Sequence, residues 1–303
     1  MVLQSWSKGT RSSYNSYLTR WGDFCATHNI STTKATTEEG LSFLMGLYDL
    51  GEKHGYLANV RSALSAIIPR VGGVPFGKLE VVKRFMKGVF KNRPTLPRHV
   101  VMYDADIVLH YLKSLGDNTK LELEMLTKKL CTLLCLLSGQ RAQAIPALTL
   151  DMCYRDPVGS EYVLYVDRVM KTTKPGHHVK PLELMAFPLE PTLCIVGCLD
   201  EYVARTSKLR SQQQLIISYK TFKAVEKATI ARYVLHILQQ SGIDVTVFTC
   251  HSTRSASTSK ANNNGLSFKD IARAAGWRTE GVFQRFYNKP IRKTLGASVL
   301  GGV

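Results

Sequence analysis

Apolar residues recur at helical spacing through most of the chain. Tyr14, Leu18, Trp21 and Cys25, with Phe24 beside them, give one apolar face to a helix from Thr10 to about Asn29. Thr36 followed by Glu39 has the form of a capping box and opens a second helix carrying Leu41, Leu44, Met45 and Tyr48, broken by Gly51 and Gly55. Tyr56, Val60, Leu64 and Ile67 predict a third helix ending at Pro69, and Val81, Val82, Phe85 and Val89 a fourth. The stretch from Lys91 to His99 holds two prolines and four basic residues, so it reads as an extended connector. The pattern therefore predicts a helical bundle over residues 1–93 and a second domain over 94–303.

Beyond the connector, Asp104 can cap a helix running to Leu115, and the apolar run from Leu121 to Leu137 demands a deeply buried helix. The period then changes. Tyr162, Leu164 and Val166 alternate with polar neighbours before a KTTKPGHH turn, after which Val179, Leu182 and Leu184 resume an apolar pattern. This predicts a β-hairpin with a basic tip. Helical spacing returns through Leu193, Val196, Leu199 and Val203, again through Phe222 to Leu238, and again from Ser252 onward, with Asn262–Asn264 before Gly265 as a helix end. The fold class expected is mainly α with a small antiparallel β-sheet.

Charge narrows the partner. Forty Lys and Arg against 23 Asp and Glu give a formal net charge of +17, which calls for a polyanion, nucleic acid first. Anionic membrane is the rival, but the cations are spread along the chain with no basic amphipathic segment. No window approaches the ~18 consecutive apolar residues of a span, and the N-terminus lacks a signal-peptide core. A chain inside the cell, without a membrane partner, is expected. Seven cysteines with no CxxC form neither a disulfide framework nor a zinc-finger pattern. Cys131 with Cys135, and Cys194 with Cys198, read as buried thiols one helical turn apart rather than as a metal site. There is no G-x-x-x-x-G-K-[ST] loop for a nucleoside triphosphate and no H-E-x-x-H, and the carboxylates do not suggest the cluster of a metal-dependent nuclease.

Attack on a phosphodiester without a metal needs cations for the phosphorane, a nucleophile, and an acid for the departing oxygen. In LLSGQRAQAIPALTLD, Arg141 follows Ser138 and Gly139 and is expected at a helix start facing inward. Its nearest acidic residue in the segment is Asp151, so phosphate is one partner and a structural ion pair the other. In FTCHSTRSASTSKA, His251 and Arg254 stand one helical turn apart, and the small residues after them permit close packing. In AAGWRTEGVFQRFYNKP, Gly276 ends a short helix and Trp277 begins a turn leading to Phe283, Phe286 and Tyr287. Positive charge on Arg285, Lys289 and Arg292 would favour a Tyr287 phenolate, while a packed aromatic is the plainer alternative.

Taken in order, GQR, a lysine in a hairpin, H-x-x-R, GW and a late tyrosine resemble the tyrosine recombinase or phage integrase family. SGQRAQAI and GWRTEGVFQRFY look most like the recombinases of eukaryotic DIRS, Ngaro or Crypton mobile elements. The resemblance implies a helical, SAM-like core-binding domain followed by a DNA breaking-rejoining catalytic domain. It implies Tyr287 as the nucleophile leaving a 3′-phosphotyrosine, Arg141 and Arg254 on the non-bridging oxygens, His251 assisting, and Trp277 packed against the phosphate. Lys171 would be the general acid, with Lys174 the alternative. Lys174, Arg93, Arg98, Arg278 and Arg285 would contact DNA. No cofactor, metal or ATP is implied. The partners are double-stranded DNA and copies of the chain itself, a tetramer on DNA, in the nucleus if the host is eukaryotic and in the cytoplasm otherwise. Residues after Ile291 would be exchanged between subunits, or form a free tail.

Two positions depart from the family pattern. Ala144 stands where an acidic residue usually follows the first arginine, so another group must orient Arg141. Trp277 and Tyr287 are ten residues apart, one more than is common, which would put Phe286 at the nucleophile's place unless the turn from Thr279 to Gly281 absorbs a residue. The alternatives within this resemblance are a type IB topoisomerase-like enzyme and a DNA-binding protein of mobile-element origin that has lost catalysis.

Overall fold

The computed structural model describes residues 6–94, 102–166, 180–277 and 280–288, without the side chains of residues 282, 285 and 286. Two compact units divide the chain, Met1–Arg98 and His99–Val303.

The first unit consists of α1 (Lys8–His28), α2 (Thr37–Asp49), α3 (His54–Leu64) and α4 (Glu80–Asn92). Their apolar faces meet in a core centred on Trp21, Leu44, Leu57 and Phe76. The capping box forms: Glu39 N–H donates to Thr36 Oγ1 at 3.2 Å, and Thr36 N–H donates to Glu39 Oε2 at 2.7 Å. Thr36→Ala is expected to cost this unit about 1 kcal/mol, seen as several-fold faster hydrogen exchange of the α2 amides; unchanged exchange would contradict it. Gly51 breaks the chain as expected, with φ +92°. Gly55 does not break it, because it lies in the first turn of α3, where the N–H groups have no intrahelical partner to lose.

The second unit is organised around α6 (Leu123–Ser138), whose residues from Leu126 to Leu136 are all buried. Lys129 is fully buried there and donates to the Gly116 carbonyl at 3.3 Å. Around α6 stand α5 (Ala105–Ser114), α7 (Ile195–Thr206), α8 (Lys227–Gln240) and α9 (Ser252–Asn263), followed by α10 (Phe268–Ala275) and α11 (Glu280–Phe286). The sheet is antiparallel in the order β1 (Leu148–Arg155), β2 (Glu161–Val166), β3 (Leu182–Met185). Tyr162 pairs with Leu184 and Leu164 with Leu182, and these four residues face the core. This is the expected hairpin. Its connecting residues 167–179, with Lys171, Lys174 and Val179, lie outside the described residues.

The fold corrects the sequence reading at four places. The sequence reading names no strand at β1, although Leu148, Leu150, Met152 and Tyr154 alternate there with Thr149, Asp151, Cys153 and Arg155; burial does not follow that alternation, Met152 and Tyr154 being exposed, and the pairing with β2 shifts register between Leu148 and Cys153. Arg141 is not at a helix start: the chain leaves α6 at Gly139 and turns into a short 3-10 segment, Ile145–Ala147. Phe222 lies outside α8, with φ +56°. Leu193 ends a 3-10 turn ahead of α7. Cys131, Cys135, Cys194 and Cys198 are buried. Asp104-Ala105-Asp106, whose spacing could pass for a metal motif, serves packing: Asp104 caps α5 by accepting from Asp106 N–H at 3.0 Å, and Asp106 pairs with Lys260. No described helix is long and apolar enough to cross a membrane.

Candidate active site

α9 is buried without an apolar stripe. Ser252, Thr253, Ser255, Ala256, Thr258 and Ser259 are all inaccessible. Small side chains let α5, α6 and α10 approach the helix closely, and the two threonine hydroxyls are satisfied by nearby carbonyls, which offsets the cost of burying them. Thr253 Oγ1 donates to the Cys250 carbonyl at 2.7 Å and Thr258 Oγ1 to the Arg254 carbonyl at 2.6 Å.

Arg254 has no such local solution. Its side chain is 1% exposed. Nη2 donates to the Ala275 carbonyl at 2.7 Å, at the end of α10. Nε and Nη1 are buried and have no hydrogen-bond partner among the described residues, and neither does Trp277 Nε1. The guanidinium carbon lies 4.4 Å from the centre of the Trp277 ring and 5.2 Å from that of Tyr287. Burial and the charge of Arg141 lower its pKa to about 10, with Tyr287 opposing the shift, so it remains a cation at neutral pH. A buried cation with two unmatched donors, on different edges of the guanidinium, calls for an anion.

Tyr287 is delivered by α11 and α9 together. Its N–H donates to Phe283 O at 2.8 Å, and its carbonyl accepts from Ser259 Oγ at 2.7 Å. Its ring centre lies 4.6 Å from that of Trp277, which also packs against the buried Phe283 at 5.2 Å. Gly276, at φ +69°, is the left-handed end of α10 that turns Trp277 into this position. The Tyr287 hydroxyl lies 3.4 Å from His251 Nε2. Arg254, from α9, lies beside the ring, while the side chain of Arg285 and residues Lys289 and Arg292, the cations expected around Tyr287, lie outside the described residues.

Arg141 reaches the same place through the turn after α6. Gly139 has φ +58°, so glycine allows the turn; a Cβ there would make only ordinary contacts, 3.4 Å from Thr258 Cγ2 and 3.5 Å from Ala275 Cβ. Gln140 Nε2 donates to Ala274 O at 2.8 Å, tying the turn to α10. Ala144 N–H closes onto the Arg141 carbonyl at 2.8 Å, so the backbone shapes this segment where a carboxylate was expected. Arg141 forms no ion pair among the described residues.

His251 has its pKa lowered by desolvation and by the positive charges of Arg141, Arg254 and Lys227. Folded His251 thus binds a proton less readily than the unfolded chain. Above the ordinary pKa of 6.5 both states are neutral and it contributes nothing; as pH falls below that value the unfolded chain gains the proton first, and stability declines. Arg141→Gln is expected to move the His251 pKa upward, followed by NMR titration of its ring proton. An unmoved midpoint would mean that Arg141 does not act on the imidazole.

Arg141, His251, Arg254, Trp277 and Tyr287 therefore share one site. Lys171, Lys174, Arg98, Arg278 and the side chain of Arg285 lie outside the described residues. Arg93 stacks on the Tyr48 ring at 3.8 Å and donates to its carbonyl at 2.5 Å, closing the end of α4 onto α2. Sequence reasoning missed Gln140, Ser259, Lys227 and the Ala275 carbonyl. Only Gln140, inside GQR, had a signal.

No family model and no curated protein matches the sequence. Solved structures do. The chain is similar to the XerH site-specific recombinase bound to a palindromic difH substrate in a post-cleavage complex, with TM-score 0.63 and 14% identity over 91% of this chain and 75% of that one. It is similar to a lambda integrase tetramer bound to a Holliday junction, with TM-score 0.54 and 17% identity over 96% and 74%. The third is the Tn1549 transposon integrase with transposon right-end DNA, with TM-score 0.54 and 13% identity over 88% and 84%. The fold is that of the tyrosine recombinases.

Proposed function

We propose that this chain is a site-specific tyrosine recombinase that cuts and rejoins double-stranded DNA through a 3′-phosphotyrosine, serving the integration of a mobile element. The observation that carries this reading is the convergence at Tyr287. Its hydroxyl meets His251 at 3.4 Å beside Arg254, whose Nε and Nη1 are buried with no partner among the described residues. A phosphodiester supplies what those donors lack.

Tyr287 Oη attacks phosphorus, and its proton passes toward His251, which desolvation and the surrounding cations keep neutral and able to accept it. Arg254 and Arg141 hold the non-bridging oxygens as charge develops on them. Trp277 fixes the Tyr287 ring and presents its own Nε1. Lys171, or Lys174, protonates the departing 5′-oxygen. The phosphotyrosine conserves the energy of the broken bond, so another 5′-hydroxyl can reverse the step without ATP or a metal.

The same reading assigns residues 1–93 to core binding and 94–303 to catalysis. It makes the working form a tetramer on DNA, as lambda integrase is on its Holliday junction, and places the protein in the nucleus of a host carrying DIRS, Ngaro or Crypton-type elements. SGQRAQAI and GWRTEGVFQRFY support that host range. The test is a nicked suicide DNA drawn from the element's own termini, incubated with the protein in chelator. A denaturation-resistant adduct on the Tyr287 peptide is expected. No adduct on a verified bound site would favour a DNA-binding protein without catalysis; relaxation of supercoils with no joining of two sites would favour a topoisomerase.

A further inference from the structure

Between α6, the first turns of α8 and residues 218–225 lies a second polar cavity, of about 560 Å³. Its walls carry Lys128, Tyr219, Lys220, Arg232 and His236, and these are not equally available. Lys128 is buried and neutralised by Glu124, with Nζ 2.6 Å from Oε1; Tyr219 also bonds that carboxylate. His236 is held toward its neutral form by burial and by Lys128, with Glu124 opposing. Lys220 and Arg232 remain. Neither has a carboxylate within ion-pair distance among the described residues, and the Arg232 guanidinium bonds only the Thr229 hydroxyl there, at 3.1 Å. Glu226 precedes α8 and lines the cavity, and Glu124 also feels the charge of Lys220, so two carboxylates stand against Lys128, Lys220 and Arg232.

The segment that presents Lys220 is rigidly built. Ser218 N–H donates to Lys223 O, and Phe222 N–H to Ser218 O, both at 2.8 Å. Ser218 Oγ accepts from the N–H groups of Lys220 and Thr221 at 3.2 and 3.1 Å. Phe222 is held at φ +56°, a strained conformation for a bulky residue, with its side chain packed on the core. Strain of this kind persists where surrounding structure enforces it, and it collects at ligand clamps.

We propose that this cavity binds a phosphate group between Lys220 and Arg232, apart from the Tyr287 site. Lys220 and Arg232 are exposed and line the same polar cavity, and a tetrahedral anion there would receive charge-assisted hydrogen bonds from both. The phosphate comes either from the nucleic-acid backbone or from a free phosphate compound. The site does not depend on the reading of Tyr287.

The full chain is compared with Lys220→Ala/Arg232→Ala and with the charge-preserving Lys220→Arg/Arg232→Lys, each first checked for an unchanged melting temperature. Inorganic pyrophosphate is titrated by calorimetry, and a short duplex of unrelated sequence by fluorescence anisotropy across a salt series. The alanine pair is expected to lose at least about tenfold in pyrophosphate affinity, with the charge-preserving pair close to wild type. If the DNA backbone is the source, the alanine pair also lowers the slope of log affinity against log salt by about 1 to 2. Pyrophosphate loss with an unaltered slope identifies a free phosphate compound. If pyrophosphate affinity and salt slope are both the same in the alanine pair as in wild type, the site does not exist.

Discussion

Tyr287→Phe is expected to abolish covalent capture of a nicked suicide DNA, by at least about a thousandfold, while duplex binding stays within a few-fold of wild type. The hydroxyl is a small part of Tyr287. The ring makes the packing, against Trp277 at 4.6 Å and near Arg254, and the backbone bonds to Phe283 and Ser259 do not involve the hydroxyl. Its one side-chain hydrogen bond among the described residues is the 3.4 Å contact to His251, at the long end of useful geometry and correspondingly cheap to lose. Phenylalanine should therefore leave fold and DNA affinity nearly intact while removing the oxygen proposed to attack phosphorus. Thermal melting, anisotropy and denaturing gels measure the three consequences separately. An adduct that survives the substitution would move the nucleophile elsewhere and undo the mechanism.

Arg254→Met should separate stability from activity in the opposite sense. In the free protein Arg254 is buried, bonded through one nitrogen to Ala275 O, and unmatched at two others. Replacing such a cation with an apolar side chain of similar volume removes a desolvation cost and is often neutral or stabilising by about 1–4 kcal/mol; the stranded Ala275 carbonyl takes back roughly 1 kcal/mol. The variant should melt at or above the wild-type temperature. Its cleavage should fall by at least about a hundredfold, since a buried donor pair aimed at developing charge is lost. Arg254→Lys should also cleave poorly, because a point charge cannot span two oxygens as the planar fork does. Methionine costing about 3–5 kcal/mol instead would reveal a paired, structural arginine, and the phosphate reading of this side chain would fall with it.

Much of the fold could be read from periodicity because its elements are amphipathic. The Thr36–Glu39 box, the long apolar run of α6 and the alternating β2 and β3 each declare themselves within one segment. β1 alternates in sequence but its burial does not follow the alternation, with Met152 and Tyr154 exposed beside a register shift, and Phe222 looked helical because side-chain spacing cannot report a positive φ. α9 is the instructive intermediate: its small polar residues promised close packing, yet nothing in their order said that they would be buried through hydroxyl bonds to backbone carbonyls.

For the site, the sequence by itself determined the inventory. Arg141, His251, Arg254, Trp277 and Tyr287 are the residue types that phosphoryl transfer requires, and their order along the chain carried the resemblance. Tertiary structure alone decided that the tyrosine beside His251 is Tyr287, through the close of Trp277 on its ring, and that Gln140 anchors the Arg141 turn to α10. It alone decided that Arg254 is satisfied at one nitrogen and left open at two. The physical reason is that composition and spacing fix which donors and charges a chain owns, whereas the match between a buried donor and an acceptor depends on where separate segments end in space.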